Sequence, residues 1–247
     1  MSLRGRPVRV KFAYQQVADE IQKQIFDGSI KPGERLPGEH ELAEMFGVTR
    51  STVREGLRQL ENDGLVHRPS PRRLEVCLPG TDALTSRASR TMMMMGVTFR
   101  DLWQVSMVTE PLAAELAAQN ITDPEKAELR AIHARLSAIT DDMLLVSKID
   151  TQFHSFIAEA TKNRVLTMAR EPVSMLLYRG FAQVAPLAKI ALPRQAEAHT
   201  HIVEAICAHD ADLARTWMRR HINDFWKAIQ NANLQDSVPA ELPSEDE

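Results

Sequence analysis

The stretch over residues 34–68 most constrains the fold, because two short amphipathic helices meet there at a four-residue break. Apolar residues in the second helix recur at i, i+4 and i+7 and form one stripe: Val53, Leu57 and Leu60. Gly47 can adopt the positive φ that ends the first helix, and Thr49 is a good N-cap for the second. Two helices that cross at a tight turn predict a helix-turn-helix.

The other face of the second helix carries cations and small hydroxyls: Arg50, Ser51, Thr52, Arg54 and Arg58. Arginine can bind guanine bidentately in the major groove, and hydroxyls and helix N-terminal amides bind phosphates. A solvated helix face is the alternative interpretation. The capped turn and the apolar stripe beside these residues favour a DNA-binding helix.

Composition limits the class of protein. The 247 residues are 44% hydrophobic with a net charge of −3, and no apolar run approaches the about 18–20 residues of a membrane span. The N-terminus is basic but lacks the apolar segment of a secretory signal. Cys77 and Cys207 lie too far apart in sequence to imply a disulfide framework. These features predict a cytoplasmic protein that has no contact with membranes.

A winged helix is predicted over residues 1–80. A basic arm precedes an amphipathic helix of roughly residues 12–28. After the helix-turn-helix, residues 74–78 alternate as a short strand. This part resembles the DNA-binding domain of the GntR family of bacterial regulators, through I-x-x-G-x-x-x-P-G-x-x-L-P and the later E-x-x-L-A-x-x-F-G-V-T-R-x-x-V-R-E-x-L.

The GntR resemblance implies which residues contact an operator: Arg50, Ser51, Thr52 and Arg54. Two departures affect the rest of that surface. His40 stands where the family usually has arginine, and it can reach a phosphate. The wing tip is Pro-rich instead of Gly-rich, and Arg72 and Arg73 there are expected to contact the minor groove or phosphate.

The rest of the chain predicts a mostly helical second domain. Periodicity fails over residues 81–98, which are interpreted as a linker containing a run of four methionines. Residues 99–232 predict an all-α antiparallel helical bundle, and the family resemblance given below implies effector, metal and dimerisation roles for it. Residues 233–247 are acidic and contain proline, which predicts a disordered tail.

Four polar residues in the bundle have the spacing of a metal site. Asp150 and His154 are at i, i+4 on one helix face. His199 and His221 each lie eleven residues from Asp210, in the turn of a predicted antiparallel hairpin, so both imidazoles should be level. One carboxylate and three imidazoles suit Zn²⁺, Ni²⁺, Mn²⁺ or Fe²⁺. From spacing alone, packed or solvated histidines are the alternative.

Residues 99–230 resemble the FCD effector domain of the FadR-type branch, through L-W-x-V-x-x-V-x-E-P, D-x-x-F-H, H-x-x-I-x-x-A-I and M-x-x-H. The resemblance implies that the aspartate and three histidines bind one divalent metal, and that a small carboxylate effector binds near it. Three further residues are candidates for binding the effector: Arg179, Asn163 and Ser106. Arg179 could instead form an ion pair, and Ser106 stands at a position where the family often has arginine.

Together these features predict a homodimeric transcription factor, a repressor in function, that binds double-stranded DNA at a pseudo-palindromic operator. Two alternatives stay open. One is a metal-dependent hydrolase that uses the Asp/His cluster, with Glu197 as the candidate base. The other is a regulator whose metal is purely structural and which has no effector.

Overall fold

A computed structural model of the chain describes residues 11–70, 73–77, 81–139, 142–180, 184 and 192–239, with backbone alone at 81–84, 86, 178, 179, 192 and 193. The chain divides into two compact units between Leu84 and Thr85. Each unit has its own hydrophobic core. In the described part, no helix is both long and apolar enough to span a bilayer.

The first unit contains three helices and a hairpin: α1 (Ala13–Phe26), α2 (Glu39–Phe46), α3 (Arg50–Asn62), β1 (Val66–Ser70) and β2 (Arg73–Val76). The predicted helix-turn-helix is confirmed in detail. α2 ends at Gly47, whose φ of 63° is left-handed, and the Thr49 hydroxyl accepts a hydrogen bond from the Thr52 amide at 3.2 Å. The turn between the two helices therefore depends on Gly47, which directly follows α2, and on Thr49, which directly precedes α3.

The hairpin completes a winged helix. β1 and β2 pair antiparallel with Val66 opposite Val76, and the register is irregular between His67 and Ser70. On its other edge β2 bonds the segment before α2, where the Leu36 amide donates to the Leu74 carbonyl at 2.9 Å. This pairing ties the wing to the segment before α2, and the predicted winged helix is present.

The second unit is a helical bundle that contains most of α4 (Thr81–Met94) and six further helices in the described residues: α5 (Phe99–Asn120), α6 (Asp123–Ser137), α7 (Met143–Ala160), α8 (Arg164–Arg179), α9 (Leu192–Cys207) and α10 (Ala211–Asn231). α10 packs along α5 and α9. Asp210 caps α10 by accepting from the Leu213 amide at 2.9 Å, so the predicted turn between α9 and α10 is present.

Two segments differ from their predictions. Residues 81–98, interpreted as a linker without periodicity, are mostly the helix α4. Its buried side is formed in part by Thr85 and Ser89, which are 3% and 1% exposed, and these small polar residues leave no apolar stripe in the sequence. The Ser89 hydroxyl donates to the Pro172 carbonyl of α8 at 3.3 Å, a contact that sequence periodicity does not record.

The predicted disordered tail is partly ordered. The carbonyls of Ser237 and Gln235 accept hydrogen bonds from the Phe99 and Arg100 amides at 3.1 and 3.0 Å. Amides in the first turn of a helix have no partner within the helix, so this segment satisfies the start of α5. Residues 240–247 of the predicted tail lie outside the described residues.

Gly56 allows α1 and α3 to approach closely. A Cβ atom at this position would lie 2.8 Å from the backbone carbonyl oxygen of Tyr14, which cannot move aside as a side chain can. We therefore expect Gly56→Ser to destabilise the protein by about 1–3 kcal/mol through overpacking. Urea unfolding of the full chain measures this loss.

Gly38→Ser is the matched control, because nothing lies within 4 Å of a Cβ atom there and serine is a good N-cap for α2. It should leave stability unchanged or slightly raised. Equal effects of the two substitutions would show that the α1–α3 crossing does not depend on Gly56.

Candidate metal centre and DNA-binding surface

Four side chains from three helices of the second unit meet in one buried cluster. α7 contributes Asp150 and His154, α9 contributes His199 and α10 contributes His221. One donor atom of each residue lies within 4.8 Å of the donor atoms of the other three. The structure therefore brings together all four residues that helical spacing and distance from the turn had predicted.

The separations between these donor atoms suit a single cation. His221 Nε2 is 3.1 Å from His154 Nε2 and 3.3 Å from His199 Nε2. An Asp150 carboxylate oxygen is 3.2 Å from His199 Nε2. Adjacent ligands bonded to one ion at about 2.0–2.1 Å lie about 2.8–3.0 Å apart in an octahedral arrangement and about 3.3–3.4 Å apart in a tetrahedral one. Three imidazole nitrogens and one carboxylate thus fit a divalent transition metal.

Burial keeps two imidazoles of the cluster in the neutral form that a metal needs. Burial, and then repulsion from His154, lowers the pKa of His221 to about 3. Burial and the neighbouring imidazoles also bring the pKa of His199 well below its ordinary value. Burial raises the pKa of Asp150 to about 6. At neutral pH the carboxylate is therefore ionised, and these two imidazoles are neutral with lone pairs available.

Sequence reasoning missed a charged network beside the cluster. The Glu110 carboxylate accepts from His154 Nδ1 at 3.0 Å and from Arg170 Nε at 2.8 Å. Burial by itself would raise the pKa of Glu110, but the opposing effects of Arg170, His154 and Ser174 lower it overall. Arg170 is fully buried on the apolar side of α8. A charged residue within an apolar helix face was the available signal for a buried partner.

A cavity of about 220 Å³ adjoins the cluster on one side. Asp150 and His199 line it, whereas His154 and His221 do not. The other lining residues come from α6, α7, α9 and the segment between α6 and α7: Leu136, Ser137, Ile139, Met143, Val146, Gln195 and Ala196. A small molecule in this cavity would therefore meet two of the four donor residues.

The three residues predicted to contact an effector have different positions. Asn163 is exposed and caps α8 by accepting from the Leu166 amide at 3.1 Å. Ser106 is 1% exposed, and its hydroxyl has no hydrogen-bond partner within the described part of the chain. Arg179 ends α8, and its side chain lies outside the described residues. Neither Asn163 nor Ser106 lines the cavity, and the effector roles of all three residues stay predictions.

Glu197 was the candidate base of the hydrolase interpretation. Its side chain is exposed, and it does not line the cavity that adjoins Asp150 and His199. A general base must lie within hydrogen-bond reach of the water that it activates. The position of Glu197 gives the hydrolase interpretation no support.

On the first unit, the start of α3 presents the predicted DNA-binding residues. Arg50, Ser51 and Arg54 are exposed, and Thr52 is half-buried. The hydroxyls of Ser51 and Thr52 lie 2.8 and 2.9 Å from the Thr49 hydroxyl. This arrangement places hydroxyls and a cation at a helix N-terminus, where they can bind phosphate.

Arg54 is bound by a carboxylate of α2. Its Nη2 donates to Glu39 Oε2 at 2.9 Å, and its Nε donates to the same oxygen at 3.3 Å. Arg68, from β1, donates to the other Glu39 oxygen at 3.2 Å. The hydrogen bond from Arg54 lowers the pKa of Glu39. Glu39 therefore holds two cations of the surface in fixed positions, a role that sequence reasoning did not assign.

The remaining predicted DNA contacts are His40, Arg72 and Arg73. His40 is exposed and lies 3.5 Å from Glu44 in the next turn of α2. Arg73 is exposed on β2 and forms an ion pair with Glu75. Arg72 lies outside the described residues. Their contacts with DNA stay predictions.

Comparisons with known proteins give a family match for each of the two units. Residues 13–76 match the profile of the gntR family of bacterial regulatory proteins, and residues 101–224 match the FCD domain. The HTH-type transcriptional repressor NanR of Salmonella newport (strain SL254) is 28% identical over 244 residues, covering 92% of this chain and 90% of that protein. NanR of Salmonella typhimurium is also 28% identical, over 92% of this chain and 89% of that protein. A solved Streptococcus agalactiae GntR structure shares the fold with TM-score 0.60 and 24% identity, covering 85% of this chain and 97% of that chain.

We expect Glu39→Gln to weaken sequence discrimination by about tenfold, because Arg54 and Arg68 lose their fixed partner and become available to any phosphate. The salt dependence of binding to random duplex should steepen by about one unit. Affinity is measured at several salt concentrations for random duplex and for a duplex that the wild-type protein selects from a random library.

Glu55→Gln is the control, since it removes the same charge from α3 but only releases Arg58. Arg54→Ala should weaken the selected duplex by about 1–3 kcal/mol if this side chain contacts a base. Equal discrimination in the Glu39 and Glu55 variants would show that Glu39 is only a structural clamp between α2 and α3.

Proposed function

Because the chain belongs to the GntR family of bacterial regulatory proteins and carries an FCD domain, we propose that it is a metal-dependent repressor released from DNA by a small carboxylate. Its class is that of DNA-binding transcriptional regulators, which are not enzymes. The repressor role is proposed from its similarity to NanR, which is named a repressor. The observation that carries the metal-dependent part is the buried cluster of four donors.

The charge of the donor set favours an anionic effector. Asp150 is the one anionic residue among the four donors, so a divalent cation bound there keeps about one positive charge. An uncompensated charge in a buried site is costly, and an acid that binds the ion through its carboxylate compensates it. Glu110 and Arg170 balance each other next to His154 and do not alter this sum.

The adjoining cavity suits a small organic acid. It has a volume of about 220 Å³ and offers both polar and apolar lining. Gln195 and Ser137 can donate hydrogen bonds to oxygens of the acid, and Met143 and Val146 can pack against its carbon atoms. The acid class follows from this chemistry, and Zn²⁺, Ni²⁺, Mn²⁺ and Fe²⁺ are all compatible with the donors.

Release from DNA requires only that the effector bind one state of the protein better than another. A dimer with two α3 helices can meet two half-sites of a pseudo-palindromic operator when their spacing is correct. An acid that binds better to a state with a different spacing shifts the protein towards that state and lowers its affinity for the operator. The loss can be no larger than the ratio of the acid's affinities for the two states. This is the repression mechanism that we propose.

Metal content tests the proposal first. Tag-free wild-type protein should contain about one transition-metal ion per chain by ICP-MS, and His199→Ala should contain none. His201→Ala is the matched control, because that histidine is two residues further along α9 and is paired with Glu204 at the surface. Metal-free wild type, or equal metal content in all three proteins, would contradict the four-donor site.

Thermal unfolding with a panel of organic and sugar acids tests the effector. A ligand at a hundredfold excess over its Kd adds about 2.7 kcal/mol of stability. We expect a shift for metal-loaded protein and none after the metal has been removed. Metal-loaded protein that responds to no acid would instead support the alternative of a purely structural metal.

The proposed homodimer has a candidate face on α5. Val105, Val108 and Leu112 recur at i, i+3 and i+7 and are 44%, 69% and 40% exposed. Gln104 extends the same exposed face by one residue. An aliphatic stripe exposed on one helix can pack against the same stripe of a second copy about a two-fold axis.

Val108→Asp should convert the dimer to monomer, because two-fold symmetry would bury both carboxylates in one apolar contact. Sedimentation velocity measures the change, and affinity for a full operator should fall with it. Leu213→Asp places the same charge at an exposed leucine of α10 and should leave the dimer intact. A dimeric Val108 variant would exclude this face as the interface.

A further inference from the structure

We propose that Glu110 and Arg170 form a buried positioning pair that presents His154 to the metal through Nε2. The inference rests on the proposed metal site and concerns residues that are not themselves ligands. Glu110 lies on α5 and Arg170 on α8, whereas His154 lies on α7. The pair thus connects one donor helix to two helices that supply no donor.

The two oxygens of the Glu110 carboxylate bind different groups. Oε2 lies 3.0 Å from His154 Nδ1. Oε1 accepts from Arg170 Nε at 2.8 Å and from the Ser174 hydroxyl at 2.8 Å. All four residues are at most 1% exposed, so water does not compete for these bonds.

This geometry determines the tautomer of His154. An ionised carboxylate can only accept hydrogen bonds, so the proton of the neutral imidazole must be on Nδ1. Nε2 then carries the lone pair, and it is Nε2 that lies 3.1 Å from His221 Nε2 inside the cluster. A carboxylate on the second nitrogen also makes an imidazole a more basic ligand and fixes the plane of its ring.

Arg170 is needed because Glu110 is anionic in a dry interior. A lone buried carboxylate is strongly disfavoured, and a buried ion pair is close to neutral in its effect on stability. An apolar pair of similar volume would stabilise the bundle at least as well. The placement of the pair against a donor histidine therefore favours a role in positioning over a role in stability.

His221 provides a contrast with His154. His221 Nδ1 is buried without a hydrogen-bond partner within the described part of the chain. Its ring is therefore held by packing, whereas the ring of His154 is held by a charged hydrogen bond. Of these two ligands, His154 is the one that a hydrogen bond from outside the four donors orients before the metal arrives.

Glu171 supplies a matched control from the same network. It accepts from Arg170 Nη1 at 2.9 Å and from the Ser155 hydroxyl at 2.9 Å, one residue beyond His154. Its hydrogen bonds go to these groups and not to the imidazole of His154. Loss of its charge disturbs Arg170 but leaves the hydrogen bond between Glu110 and His154 in place.

The test compares the double variant Glu110→Leu/Arg170→Met with Glu171→Gln and wild type. Zn²⁺ affinity is measured by competition with a chromophoric chelator, and the melting temperature of the metal-free protein is measured alongside. The double variant should bind Zn²⁺ about 10–100-fold more weakly. It should melt no lower than wild type without metal, and Glu171→Gln should bind Zn²⁺ within about threefold of wild type, as expected for a residue whose carboxylate does not bind a donor imidazole.

A second measurement uses wild-type protein, so its result does not depend on whether a variant folds. Long-range ¹H–¹⁵N NMR of the metal-free wild-type imidazoles should show His154 as the Nδ1–H tautomer. The Nε2–H tautomer, or unchanged Zn²⁺ affinity in the double variant, would overturn the positioning role while the metal site stood. Wild-type protein that binds no Zn²⁺, Ni²⁺, Mn²⁺ or Fe²⁺ would overturn the proposed function itself.

Discussion

The second unit depends on the balance of charge in one small buried volume. Asp150 and Glu110 are carboxylates in the same interior, and Glu110 has a compensating cation in Arg170. Asp150 lies beside the imidazoles of the cluster, and burial keeps those of His199 and His221 neutral at pH 7. A divalent cation held by these donors would supply the positive charge that Asp150 lacks. The four donor residues, the ion pair and the adjoining cavity are thus parts of one electrostatic arrangement.

Local rules predicted much of this arrangement. The i, i+4 spacing of Asp150 and His154 and the equal distances of His199 and His221 from the turn brought four donors together without any knowledge of tertiary packing. Contacts between distant segments could not be predicted in this way. Glu110 meets its partners across 44 and 60 residues of sequence, and no periodicity encodes such pairs.

In the first unit, too, local features could be predicted from the sequence and contacts between distant segments could not. Gly47, Thr49 and the stripe of α3 are local features, so the helix-turn-helix and the wing were predicted correctly. The ion pairs of Glu39 join α2 to both α3 and β1, and they appear only when the fold is known. Helix α4 was missed because its buried residues include Thr85 and Ser89, which do not resemble an apolar face.

The position of the cavity sets an order of assembly. Only Asp150 and His199 among the four donor residues line it, so the ion would lie deeper in the bundle than any molecule that fills the cavity. Metal that enters through this cavity would have to bind before the acid, and a bound acid would then block that route out for the ion. Each would slow the departure of the other, so that a regulator once loaded keeps its metal for as long as the acid is abundant.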